Sequence, residues 1–263
     1  MREEGLEEAI SAVGGISELA RRLGISQPSV SNWKRVPADR VLSVEAATGV
    51  ARGILRPDLF GGKDASVDDT ELARAQEYAL LATLLAKSPD TQLLQRLSRL
   101  RGDASPLGVA HVALGEAAAR ADVDRVGREY FDLFVGLGRG ELLPYASYYL
   151  TGFLYERPLA RLRGDLKRVG IALAEGLSEP EDHAAILCEI MAGLAGGAIE
   201  AEPGTDRRIF EKHMAPWMGR FFADLERSQR ADFYARVGTV GRTFVEIESE
   251  AFALPQEARA GSG

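Results

Sequence analysis

The sequence predicts an all-α protein, a small helix-turn-helix domain followed by an all-helical bundle. Three observations predict it. Residues 16–35 place apolar positions at helical spacing on both sides of a glycine turn, as two short crossing helices require. Beyond residue 70 apolar residues recur every three or four positions, as in Leu72, Ala75, Ala79, Ala82 and Leu85. Alternating apolar and polar runs long enough for a sheet are absent.

The chain has 263 residues, enough for one large or two ordinary domains. Charge divides it. Between Ser17 and Arg56 seven basic residues face three acidic ones, a balance of +4, whereas from Asp64 onward 23 Lys or Arg face 31 Asp or Glu, a balance of −8. That asymmetry predicts two modules with different partners. Residues 1–60 form the expected head and 61–69, small and polar, a linker. Residues 70–252 form the expected body and 253–263 a flexible tail. The most apolar stretch, Ala185 to Ile199, carries Glu189 in its middle, and no run reaches the roughly 18 residues a membrane span needs. The acidic start Met1-Arg2-Glu3-Glu4 lacks the features of a secretory signal, so a cytoplasmic protein with no membrane insertion is expected. Cys188 is the only cysteine, which excludes an internal disulfide and reads as a small buried residue.

In the head, Ser17 is placed to cap the first helix and Glu18 suits its positive end. Gly24 permits the left-handed turn, Ser26 caps the second helix, and Pro28 lies near its start. Val30 and Trp33 face the core. Gln27, Ser29, Ser31, Asn32, Lys34 and Arg35 then face outward. Gln and Asn pair with adenine edges, and Lys and Arg grip phosphates or guanine, so these six are the candidate DNA-binding residues. A helical hairpin without DNA contact is the plainer alternative.

In the body, Thr70, Ser88-Pro89, Ser105-Pro106 and Asp122 mark helix starts. Leu162, Leu166, Val169 and Leu173 form a further stripe, and helices are expected over Ser178–Gly193, Pro216–Arg227 and Ser228–Phe252. Three segments stand out. Tyr130 to Gly138 followed by Leu143 to Tyr149 reads as a helix junction rich in aromatics. Ser178 with Glu181 has the form of a capping box, and Glu179, Glu181 and Asp182 beside His183 can also hold a cationic ligand, including a pair of arginines. Phe210, Met214, Trp217, Met218, Phe221, Phe222 and Leu225 share one helical face, either core or an adaptable groove for an apolar peptide. No phosphate-binding glycine loop, Cys or His metal spacing or nucleophile signature is present, so neither an enzyme nor a cofactor is expected.

Two families are resembled. Ala12-Val13-Gly14-Gly15, the helix-turn-helix, Pro37-Ala38-Asp39-Arg40, Glu45 to Gly49 and Leu55 to Phe60 together resemble the YdaS-type, Cro-like repressor and antitoxin family over residues 7–60. That resemblance implies a compact domain binding operator DNA as a dimer on paired half-sites. The three body segments, in order, resemble the TorD/DmsD redox-enzyme maturation chaperones over residues 70–252, with Glu179-Pro180-x-Asp182-His183 the most specific element. This implies an all-helical cytoplasmic chaperone. Its partner would be the precursor of a twin-arginine-exported molybdenum-containing oxidoreductase subunit, held until cofactor insertion is complete. Glu179, Asp182 and His183 would belong to the signal-peptide site, with Tyr145 and Trp217 as neighbours. Leu137 and Ala146 stand where the family often has proline and glutamate. The Pro144-Tyr145-Ala146-Ser147 form is closer to the branch associated with formate dehydrogenases. The alternative reading is a one-component transcriptional regulator using a chaperone-like helical sensor, and a third is a head used only for dimerisation.

Overall fold

A computed structural model describes residues 3–57, 65–171 and 179–254. Among them every regular element is a helix, and the one β-type pairing is an isolated antiparallel bridge between Tyr145 and His183. The chain divides into two compact units, Met1–Glu71 and Leu72–Gly263, each with its own apolar core.

The head contains α1 (Glu4–Ala12), α2 (Ile16–Leu23), α3 (Gln27–Ser31), a 3₁₀ turn (Ala38–Arg40), α4 (Val41–Thr48) and α5 (Arg52–Leu55). Leu6, Leu19, Val30, Val36, Val41 and Val44 are fully buried and close its core. Gly24 ends α2 at φ 66°, the left-handed turn expected of it. Ser17 does not cap α2. The helix starts one residue earlier, at Ile16, because Gly15 at φ 135° takes the cap position and its carbonyl accepts the Leu19 amide at 3.1 Å.

The body contains α6 (Ala65–Ala86), α7 (Thr91–Leu97), α8 (Pro106–Arg120), α9 (Val123–Tyr130), α10 (Ala146–Thr151), α11 (Arg157–Arg168), α12 (Ala184–Ala195), α13 (Thr205–Ile209), α14 (Met218–Arg227) and α15 (Phe233–Ala253). Wide π turns, Phe131–Val135 and Phe210–Met214, follow α9 and α13 directly. The long α15 packs along α14 and α8. Gly241 makes the first contact possible, since a Cβ there would lie 2.3 Å from the Phe222 ring. Glu129, buried on α9, caps α15 from outside by accepting the amides of Asp232 (2.8 Å) and Tyr234 (2.7 Å).

Two expected starts are met by side-chain caps: Ser105 accepts the Gly108 amide, with Pro106 at the first helical position, and Asp122 accepts the Arg125 amide. Others shift. Helix α6 begins at Ala65, inside the expected linker, so Thr70 is not its cap. Asp90 rather than Ser88 caps α7, because its carboxylate reaches the Leu93 amide at 2.7 Å. Helix α12 begins only at Ala184, with His183 as its cap, so Glu179, Glu181 and Asp182 precede the helix instead of filling its first turn. Ser178, Leu173, residues 61–64 of the expected linker and residues 255–263 of the expected tail lie outside the described residues.

Candidate functional site

The site is built where two chain segments meet ahead of their helices. The Ala146 amide donates to Asp182 O at 3.0 Å and the Ala184 amide to Pro144 O at 2.8 Å, which sets the Pro144–Ser147 segment against the Asp182–Ala184 segment. Tyr145, Glu179, Asp182 and His183 are thereby brought together, although the two segments lie far apart in the sequence. Each side chain has a distinct environment.

Asp182 is buried, 1% exposed, and serves α10. Its Oδ2 accepts the Ser147 amide at 2.8 Å and the Ser147 hydroxyl at 2.5 Å, an N-terminal cap delivered across the fold. Glu181 turns the other way. Arg163 on α11 donates from Nε to Glu181 Oε1 at 2.8 Å and sets Nη2 2.7 Å from Oε2. This guanidinium holds the Glu181 carboxyl below the usual carboxylate range. Glu179 is exposed and receives the Tyr145 hydroxyl on Oε2 at 2.5 Å. Burial, then the hydrogen bond to Glu179, pushes the Tyr145 phenol well up, so it stays a donor.

His183 is buried and stands edge-on to the Tyr145 ring, centroids 4.9 Å apart. Its Nδ1 accepts the Ala185 amide at 3.1 Å, which leaves the proton on Nε2. Burial drives its pKa down to about 4 against the opposing pull of Glu179 and Asp182, so the ring is neutral near pH 7.

Glu179 and His183 border a groove of about 570 Å³ between α6 and α12. Its wall is mostly small: Ala79, Ala82, Thr83 and Ala86 from α6, and Ala185, Ile186 and Ala192 from α12. Lys87 and Glu189 complete it. Beyond Tyr145 the chain leaving α10 exposes Leu150, Phe153, Leu154 and Tyr155. Tyr155 has φ 59°, unusual for a residue with a side chain, and its phenol lies near enough to perturb that of Tyr145.

Trp217 stands elsewhere. It is buried, its Nε1 donates to His213 O at 2.7 Å, and its ring packs on Tyr149 and Phe221. The whole stripe from Phe210 to Leu225 is buried, which makes it core and leaves no groove for a peptide along that face. Trp217 therefore backs α10 through Tyr149 instead of lining the site. Sequence reasoning assigned no role to Ser147, Arg163 or Glu189. The one available signal was for Glu189, a lone carboxylate in the most apolar stretch of the chain.

In the head, Gln27, Ser29, Asn32, Lys34 and Arg35 are exposed and Ser31 is half-buried. Helix α3 is short, so Asn32 is its C-terminal cap and Lys34 and Arg35 follow it on the loop. Val30 is buried and Trp33 packs against the head core, as their spacing required. Several arginines are held internally. Glu18 takes Arg21 and Arg22, and those hydrogen bonds lower its carboxyl to about 2. Arg52 pairs with Glu45, and Arg56 is buried on Val36 O. Over residues 1–60 the acidic α1 balances the basic stretch, with eight residues of each sign.

Comparison with known proteins matches residues 101–223 to the family described as nitrate reductase delta subunit, and residues 6–64 to that described as bacterial toxin YdaS. A chaperone protein TorD of Shewanella loihica is 26% identical over 71% of this chain and 97% of its own length. The TorD of Vibrio cholerae is 27% identical over 66% of this chain and 89% of its own. A solved structure titled as a redox enzyme maturation protein from Archaeoglobus fulgidus aligns at a TM-score of 0.47 and 19% identity, over 66% of this chain and 93% of that one. The body is similar to chaperones named TorD. The chain as a whole is a YdaS-like helix-turn-helix head joined to a TorD-like body. The curated relatives are named for a chaperone role, not for a reaction. No helix among the described residues is long and apolar enough to cross a membrane.

Proposed function

We propose that the body is a cytoplasmic chaperone for the precursor of a twin-arginine-exported molybdenum-containing oxidoreductase, the Pro144-Tyr145-Ala146-Ser147 form pointing toward the formate dehydrogenases among candidate clients. It binds the signal peptide at the α6–α12 groove and holds the precursor during cofactor insertion. The observation that carries this reading is Glu179, an exposed carboxylate fixed by Tyr145 at the mouth of a groove walled by alanine. A twin-arginine signal offers adjacent guanidinium groups followed by an apolar stretch. Glu179 suits a guanidinium, the alanines let a peptide backbone approach closely, and the exposed Tyr155, near enough to perturb Tyr145, offers aromatic surface next to the residue that holds Glu179. His183, neutral, adds no charge that would repel the arginines. No step of this role is catalytic.

Calorimetry of the full chain with a synthetic peptide carrying two adjacent arginines and an apolar stretch tests the reading. Binding is expected, and it weakens for a peptide with two glutamines in place of the arginines and for Glu179→Gln. A wild-type chain that binds both peptides equally, or neither, refutes it.

The head, on this reading, binds operator DNA through Gln27, Ser29, Ser31, Asn32, Lys34 and Arg35, as a homodimer on paired half-sites. The compact helix-turn-helix unit with five of these six side chains exposed favours it. The fusion then couples transcription to unassembled precursor.

A further inference from the structure

We propose that Glu189 on α12 is the second carboxylate of the site, so that the two arginines of the signal are divided between Glu179 and Glu189. The proposal rests on the signal-peptide reading above and specifies it. It begins from the acidic groups already engaged. Glu181 is held by Arg163, and Asp182 is buried on the Ser147 amide and hydroxyl. Recruiting either to a ligand would break an internal pair or uncap α10. Of the motif's carboxylates, only Glu179 faces the groove.

Glu189 faces the same groove. From Ala184 to Met191 it is the one exposed side chain, all the others being buried. Among the described residues it makes no hydrogen bond or ion pair. A carboxylate on the exposed face of an apolar helix, bordering a groove of alanines, is open to a cationic group of a bound peptide. The spacing fits a pair better than a cluster does. Glu189 lies six residues beyond His183, about 9 Å along α12 at 1.5 Å per residue. Adjacent side chains of an extended peptide point to opposite sides, so neighbouring arginines diverge and meet separated carboxylates more readily than contiguous ones. Lys87 is the only Lys or Arg on the wall, leaving two carboxylates against one ammonium and a net preference for a cationic ligand.

The test is calorimetry of the full chain with the two-arginine peptide and with two analogues, each having one arginine replaced by glutamine. Glu189→Gln is expected to weaken the two-arginine peptide roughly 3- to 10-fold. It should also weaken one single-arginine analogue and spare the other, with Glu179→Gln showing the reverse selectivity and Glu181→Gln showing neither. Circular dichroism melting should be unchanged for Glu189→Gln, since the residue is exposed. If Glu179→Gln weakens binding while Glu189→Gln binds like wild type, the division of the arginines is wrong and the peptide-binding reading stands. Equal loss for all three peptides in Glu189→Gln also overturns it. A wild-type chain that binds none of the peptides removes the reading itself.

Discussion

His183 shows how one residue ties the architecture of the candidate site to its titration. Its Nδ1 caps α12, which needs the neutral form, and its ring stands edge-on to Tyr145. The folded pKa, about 4, lies below the ordinary 6.5. Above 6.5 the ring is neutral in both states and nothing is lost. As the pH falls below 6.5 the unfolded chain takes the proton and the folded chain does not, so stability declines toward pH 4 and the loss then levels off. Between pH 7 and 5 this group should remove about 2 kcal/mol. His111 works in the opposite direction. Its hydrogen bond to Glu77 raises its pKa, so its contribution is present at low pH and lost as pH rises through the raised value. His213, lowered chiefly by burial, acts in the same direction as His183, so the total pH dependence mixes several groups. Urea denaturation of wild type and His183→Gln at pH 7 and pH 5 separates His183 from the rest. The wild type should lose about 2 kcal/mol more than the variant over that interval. Equal losses would mean that the ring is not held neutral.

At the scale of elements, α10 is the piece on which the site depends, and it is too short to stand on its own sequence. Asp182 caps it, Trp217 backs it through Tyr149, and the Tyr149 hydroxyl bonds Asp224 on α14. Asp182→Ala should therefore cost about 1–3 kcal/mol by leaving the buried Ser147 amide and hydroxyl without an acceptor. Ser147→Ala should cost less, and the double variant should fall short of the sum, because both remove the same bond. Chemical denaturation of the three variants measures this; strict additivity would disconnect the pair. The cap also explains what the sequence could and could not disclose. The all-helical class, the left-handed turn at Gly24 and the caps at Ser105 and Asp122 were legible because each depends on residues within a few positions. The role of Asp182 was not, because its partner is 35 residues away. A carboxylate before an apolar helix looks the same whether it waits for a ligand, pairs with Arg163 as Glu181 does, or caps a different helix. The Trp217 stripe was ambiguous for a related reason, since periodicity identifies an apolar face without saying what covers it.

For the whole molecule the question is whether two compact units on one chain exchange free energy. DNA binding by the head can be read first through salt. Of the six residues proposed to contact DNA, the two cations are Lys34 and Arg35, both exposed on the loop after α3, with Arg35 also 3.8 Å from Glu3. Each phosphate neutralised contributes a slope of about −0.9 in log affinity against log salt. One head should therefore give a slope of roughly −2 and a dimer on paired half-sites roughly −4. Fluorescence anisotropy on operator DNA at several salt concentrations distinguishes them, and a slope near zero would remove DNA binding from the head's role. Coupling is then a matter of linkage. If bound signal peptide changes operator affinity by some factor, operator DNA must change peptide affinity by the same factor, because the two routes to the doubly bound state share their end points. A change of at least threefold in both directions, about 0.7 kcal/mol, is the expected outcome if the fusion reports precursor to a promoter. Measuring both legs matters, since a shift in one direction only would indicate competition for the peptide or a change in oligomeric state. Identical operator affinities with and without saturating peptide would leave the head and the chaperone body as independent binders.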